Sequence, residues 1–174
     1  MNITVFSPEL LSGLINQARK SPRTRQHHNI HQDYLDPSQR FLNAIEPESY
    51  IRPHRHSLDP KAETLIAIKG QFGLVLFDDD GGVQKVIKLG SEKFGGNTGA
   101  DLPPGTWHTI VALTPGAVLL ELKAGPFRPD AAKELAPWAP EEGGDAAVRY
   151  LSNLRKIIDT FPKVDADASC TLTA

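Results

Sequence analysis

Four side chains in this 174-residue sequence have the types and spacing of a metal site: His54, His56, Glu63 and His108. His54 and His56 are one residue apart, and on a strand side chains with a period of two point to the same face, so both imidazoles can look inward together. Glu63 follows a loop containing an Asp-Pro turn signal and opens the next apolar run, which returns its carboxylate toward the two rings. His108 comes much later, directly after Pro103-Pro104-Gly105, and only a closed barrel would bring its strand back to the first pair. Three neutral imidazoles and one carboxylate suit one divalent ion, Fe, Mn, Zn, Ni or Co, and leave coordination positions open for water or substrate.

The elements that must position these residues are short and rich in β-formers. Seven runs, Arg40–Ile45, Ser49–His56, Glu63–Gly70, Phe72–Asp78, Val83–Leu89, Thr106–Leu113 and Ala117–Gly125, are separated by turn residues, the pattern of an all-β sandwich or barrel. Asp78-Asp79-Asp80-Gly81-Gly82 reads as a hairpin turn; a calcium loop would need a glutamate at its twelfth position and flanking helices. Ser7-Pro8-Glu9 followed by Leu10, Leu11, Leu14, Ile15 and Ala18 predicts a capped amphipathic helix ending near Lys20. The polar stretch after it reads mostly as loop, with an edge strand near Asn29 to His31. Ala147, Tyr150, Leu151, Leu154, Ile157, Ile158 and Phe161 predict a C-terminal helix from about Asp145 to Phe161. The expected organisation is therefore an N-terminal helix and arm over 1–22, a barrel over 23–129, and a covering segment, helix and polar tail over 130–174.

Nineteen basic against twenty-one acidic residues, a net charge of -2, leave no basic field for nucleic acid. The first ten residues lack the basic start and apolar run of a secretory signal, and no apolar stretch approaches a membrane span, so a cytoplasmic protein is expected. Cys170 is the single cysteine and sits in a polar tail, which excludes an internal disulfide and argues against a nucleophile.

His54-Arg55-His56, then Glu63, then Gly70 resembles the first motif of the cupin superfamily, and Gly99 through Pro103-Pro104-Gly105 to His108 resembles the second. The spacer before Glu63 is longer than usual, and Ala112 stands where the second motif often has Asn. Over Arg23 to Pro129 the sequence is similar to the WbuC-type cupin metalloproteins. Gln39-Arg40, Ser49-Tyr50, Pro53-His54, His56, Glu63, Gly70, His108, Glu121, Lys123 and Gly125-Pro126-Phe127 stand where that pattern has them, and His31 falls where it has a histidine. The resemblance implies a double-stranded β-helix, or jelly-roll barrel, with a single bound metal. Members are linked to O-antigen and other surface-polysaccharide gene clusters without a settled activity.

Around the metal, Glu121 in the apolar Ala117–Gly125 run faces solvent, pairs with Arg40 or a ligand histidine, or serves as an acid or base. Arg40 and Arg52 are candidate anion clamps, with surface salt bridges the alternative. Tyr50 would share the His54 face of an unbroken strand and touch substrate, or else pack as an interior aromatic. His31 is a candidate proton shuttle on an arm closing the barrel mouth. His27, His28 and His31 would form a second metal site only on a helix, which the pattern rejects. Trp107 is expected to point away from the metal into packing, and Trp138 to plug a barrel end. Apolar residues on both faces of the Glu63–Gly70 and Ala117–Lys123 runs suggest a homodimer. Three functions fit: a metal-dependent isomerase or epimerase acting on a sugar, sugar phosphate or nucleotide sugar; an Fe(II)-dependent dioxygenase; and a non-catalytic small-molecule-binding module.

Overall fold

The computed structural model describes residues 3–90 and 96–161; the tail with Cys170 lies outside the described residues. In chain order the elements are α1 (Pro8–Lys20), β1 (Arg25–Asn29), β2 (Ser38–Ile45), β3 (His54–Arg55), β4 (Glu63–Lys69), β5 (Gln71–Phe77), β6 (Val83–Gly90), β7 (Gly99–Leu102), β8 (His108–Ala112), β9 (Ala117–Ala124), β10 (Glu134–Leu135) and α2 (Asp145–Thr160). The strands form two five-stranded sheets, ordered β1-β2-β9-β4-β7 and β10-β3-β8-β5-β6, with antiparallel ladders throughout. Both expected helices form. Ser7 caps α1 by accepting from the Leu10 amide, with Pro8 fixing the first turn.

Period-two alternation sorts the side chains. Ile45, Leu65, Ala67, Leu74, Ile110, Ala112 and Leu119 point between the sheets and make the central core. On the same inner faces, toward the opposite end of β2, β4, β8 and β9, stand Gln39, Asn43, Glu63, His108, Glu121 and Lys123, all of which line one cavity. The barrel is thus dry at one end and polar at the other. Gly70 makes the tight β4–β5 turn at φ 77°, where a Cβ would come within 2.6 Å of Thr114 Oγ1 and 2.9 Å of Ala117 Cβ.

The outer faces are apolar because helices cover them. Leu14, Ile15 and Ala18 of α1 pack on Leu42, Ala44 and Val118. Ala147, Leu151, Leu154 and Ile158 of α2 pack on Val75, Phe77 and Val111. Much of the second apolar face attributed to a partner chain is therefore covered by α1. Leu154 is 2% exposed, and Leu154→Ala should cost about 2–5 kcal/mol of unfolding free energy in a urea melt.

Three expectations need correction. The edge strand runs over Arg25–Asn29 rather than ending at His31, pairing with β2 from Arg25↔Ile45 to Asn29↔Phe41. The Ser49–His56 run is strand only at His54–Arg55, because Pro53 has no amide to give a ladder. Beyond Pro129 the chain still contributes β10, which extends the second sheet alongside β3.

Candidate metal centre

His54 lies opposite His108 across the β3–β8 pair, with Leu135 of β10 on its other side. Glu63 begins β4 in the facing sheet, opposite Lys123 of β9. The two sheets thus deliver His54, His56, Glu63 and His108 to one point, and one ligand atom from each lies within 4.8 Å of the others. All four are buried, between 2% and 6% exposed.

The backbone fixes the three ring tautomers. His54 Nδ1 donates to the Arg52 carbonyl at 3.0 Å, His56 Nδ1 to Ala132 at 2.6 Å, and His108 Nδ1 to Thr106 at 2.8 Å. Each ring then turns its Nε2 to the centre. His56 Nε2 and His108 Nε2 both stand 3.1 Å from Glu63 Oε2. Acceptors so close hold together only around positive charge, either a proton or a cation. Burial holds His54 well below its ordinary range and so disfavours its protonation, with Lys133 and His108 adding to the effect. Burial alone would raise the Glu63 carboxyl. The Lys123 ammonium beside it outweighs that and holds it well below the usual carboxylate range. Lys123 Nζ lies 2.7 Å from Glu63 Oε1 and 3.1 Å from His56 Nε2, so its ammonium supplies positive charge beside these acceptors. The donor set fits a single divalent ion and could hold one.

Above the cluster the barrel opens into a cavity of about 290 Å3. Glu121 and His31 are both in its wall. Asn43 Nδ2 donates to Glu121 Oε1 at 2.7 Å. Burial, and then the Glu63 charge, raise the Glu121 carboxyl. His31 is buried with Nδ1 at 3.1 Å from the Arg40 amide nitrogen and 2.9 Å from its carbonyl oxygen, so β2 orients the ring.

The other sequence-predicted contacts do not reach the cavity. Arg40 alternates to the outer face of β2, where it pairs with Asp36 at 3.4 Å. Arg52 donates twice to the Ala136 carbonyl, at 3.1 and 2.7 Å, tying the covering segment to the barrel. Tyr50, freed from strand alternation by the break at Pro53, packs edge-on against Tyr150, donates to the Pro140 carbonyl at 3.0 Å, and has its hydroxyl pushed up by burial. Trp107 packs away from the centre with its Nε1 donating to Asp79, and Trp138 covers Gly81 and Phe77. His27 and His28 lie on β1, not on a helix.

Sequence reasoning places Lys123 only within the family pattern, with no role at the site, and gives no place to Lys133. Lys123 carried a usable signal, since it follows Leu119 and Glu121 at a period of two on an inward-facing strand. Lys133 carried none, because it precedes a two-residue strand in an irregular segment. His27 enters the sequence reading only as a metal ligand. Its ring borders the cavity, and the surrounding protein, then Lys133 and Arg23, lowers it to about 4.

A family model described as a domain of unknown function, DUF6016, matches residues 6–89, taking in His54, His56 and Glu63 but not His108. No curated protein matches the chain. Among solved structures, the chain is similar to an uncharacterized conserved protein with a double-stranded beta-helix domain from Klebsiella pneumoniae, at 18% identity and TM-score 0.54, over 78% of this chain and 98% of that one. Protein SO0799 from Shewanella oneidensis matches at 11% identity and TM-score 0.52, over 76% and 83%. TT1209 from Thermus thermophilus matches at 19% identity and TM-score 0.50, over 72% and 98%. No helix of the described residues is long and apolar enough to cross a membrane. With its two facing antiparallel sheets and flanking helices, the chain has the cupin fold, a double-stranded β-helix.

Proposed function

We propose that this protein is a divalent-metal enzyme that moves a proton within a small sugar-derived molecule, an isomerase or epimerase. The observation that carries the reading is the presence of Glu121, a buried carboxyl with its affinity for protons raised, in the wall of the same cavity as the three imidazole donors. A bound divalent ion would supply Lewis acidity to a substrate carbonyl or hydroxyl oxygen. Glu121 would take the proton from the carbon beside that carbonyl and return it to a neighbouring carbon or to the other face. Bonds to hydrogen are then exchanged with no net oxidation. Asn43 holds the carboxyl in place, and His31, fixed on the β2 backbone, is suited to pass the proton onward.

Tyr34 and Phe127, their ring centroids 4.9 Å apart, border the cavity and offer aromatic surface to the C–H face of a sugar ring. The cavity volume is at the small end for ligand sites and suits one monosaccharide unit; a nucleotide would extend beyond the mouth. The similarity to WbuC-type cupins agrees with a role in surface-polysaccharide metabolism. A homodimer would use the strip of outer sheet face around the half-buried Ile66 and Leu122, beside the α1 footprint.

Metal-loaded protein incubated in D2O with ketose and aldose phosphates and with sugar acids should give loss of the proton signal at the carbon next to the carbonyl in NMR spectra, with no oxygen consumed. Oxygen uptake matched to substrate loss would instead establish a dioxygenase. A bound sugar left unlabelled after long incubation would establish a binding module.

A further inference from the structure

The metal donors and Glu121 leave part of the cavity without a task. Six cationic side chains line it against three carboxylates. Four of the six have acidic partners: Arg25 with Glu142 at 2.6 Å, Lys61 with Asp59 at 2.7 Å, Arg128 with Asp130 at 3.3 Å and Lys123 with Glu63 at 2.7 Å. Lys133 and the Arg23 guanidinium have no ion-pair partner among the described residues.

Both groups act on His27, where after burial they are the strongest influences, and Lys133 also acts on His54 and Glu121. Lys133 therefore lies close enough to His27, on the β1 side of the cavity, and to the metal donors to influence both. Its position is set by two neighbours. The Ala132 carbonyl accepts from His56 Nδ1, and Glu134 is clamped by Arg55 at 2.7 and 2.8 Å and by the Ser57 hydroxyl. Two cations without carboxylate partners on the wall of one cavity leave an excess of positive charge there, and an oxyanion held by them gains charge-assisted hydrogen bonds.

We propose that Lys133 and Arg23, with the His27 ring beside them, form an anion subsite that takes the carboxylate or phosphate of a small sugar-derived ligand. This deepens the proposed function and rests on it for the ligand's sugar character alone. The anionic group binds between Lys133 and Arg23, and the uncharged remainder of the molecule extends toward Glu121 and the metal donors. Substrates are then sugar acids or sugar phosphates in preference to neutral sugars.

The test is calorimetric titration of the full chain, both zinc-loaded and chelator-stripped, with D-glucuronate, D-glucose 6-phosphate and D-glucose. At least one of the two anionic sugars should bind at least tenfold more tightly than glucose in both forms. Lys133→Met should weaken that binding on the order of tenfold, Lys133→Arg should restore most of it, and added salt should weaken it in wild type more than in Lys133→Met. Binding of glucuronate alone assigns a carboxylate, and binding of glucose 6-phosphate alone a phosphate. Equal affinity for all three sugars, no binding of either anionic sugar, or affinities unmoved by Lys133→Met would each overturn the subsite. Lys133-dependent binding in the stripped protein without deuterium exchange in the loaded one keeps the subsite and removes the isomerase reading. Exchange without Lys133 dependence does the reverse.

Discussion

His56→Ala should bind its divalent ion at least about 100-fold more weakly than wild type, since even an outer-shell partner of a metal ligand is worth 10–100-fold. Purified under the same conditions, the variant should therefore contain almost no metal by elemental analysis. The far-ultraviolet circular dichroism should not change. His56 follows the last residue of β3, outside the regular ladders, and Glu63 keeps its contacts with Lys123 and His108 when the ring is gone. The Nδ1 donation to Ala132 disappears with the ring, but the covering segment stays anchored by Arg55 to Glu134 and by Arg52 to Ala136. Retention of a full equivalent of metal by the variant would show that the ion is held elsewhere.

That the His54, His56, Glu63 and His108 cluster could be read ahead of the structure reflects the regularity of strands. Each donor is next to a turn at the start or end of a β-run, so parity of position fixes which face it takes, and barrel closure does the rest. The same rule explains the failures. Arg40 has the wrong parity, one residue from the inward Gln39 and Phe41, and its guanidinium goes to Asp36 outside. The expectation that Tyr50 shares the His54 face needs alternation to continue through Pro53, where the ladder is interrupted. Glu121 has the right parity and reaches the cavity, with Asn43 rather than Arg40 as its partner. The outer apolar faces of β4 and β9 were legible as buried, but nothing in a strand pattern says whether a helix of the same chain or a second copy does the burying; α1 covers much of that sheet. Lys133 was beyond reach because its position depends on the path of an irregular segment, which residue types alone do not specify.

Under the proposed isomerase mechanism, Glu121→Gln should lower kcat for the proton transfer by about 100- to 10,000-fold while leaving metal content unchanged, the range associated with loss of a positioned general acid or base. A glutamine keeps an oxygen to accept from Asn43 Nδ2, so the geometry should survive and the defect should be chemical. The pH dependence of stability separates this role from a packing role. The folded protein holds the Glu121 carboxyl above its unfolded range, chiefly because burial penalises the charge. Between the unfolded value of about 4.3 and the raised folded value, the native state binds more protons than the unfolded one, so this residue makes stability fall as pH rises through that window. The glutamine variant lacks the effect. In the metal-free protein it should therefore melt at a higher temperature than wild type at pH 7, with the advantage shrinking toward zero as the pH is lowered to 4. A variant that is less stable at pH 7, or equally stabilised at both, would mean that the Glu121 carboxylate is a satisfied structural anion. A side chain kept at a cost in stability, in the wall of the cavity above the candidate metal donors, is what the proposed proton-transfer role requires.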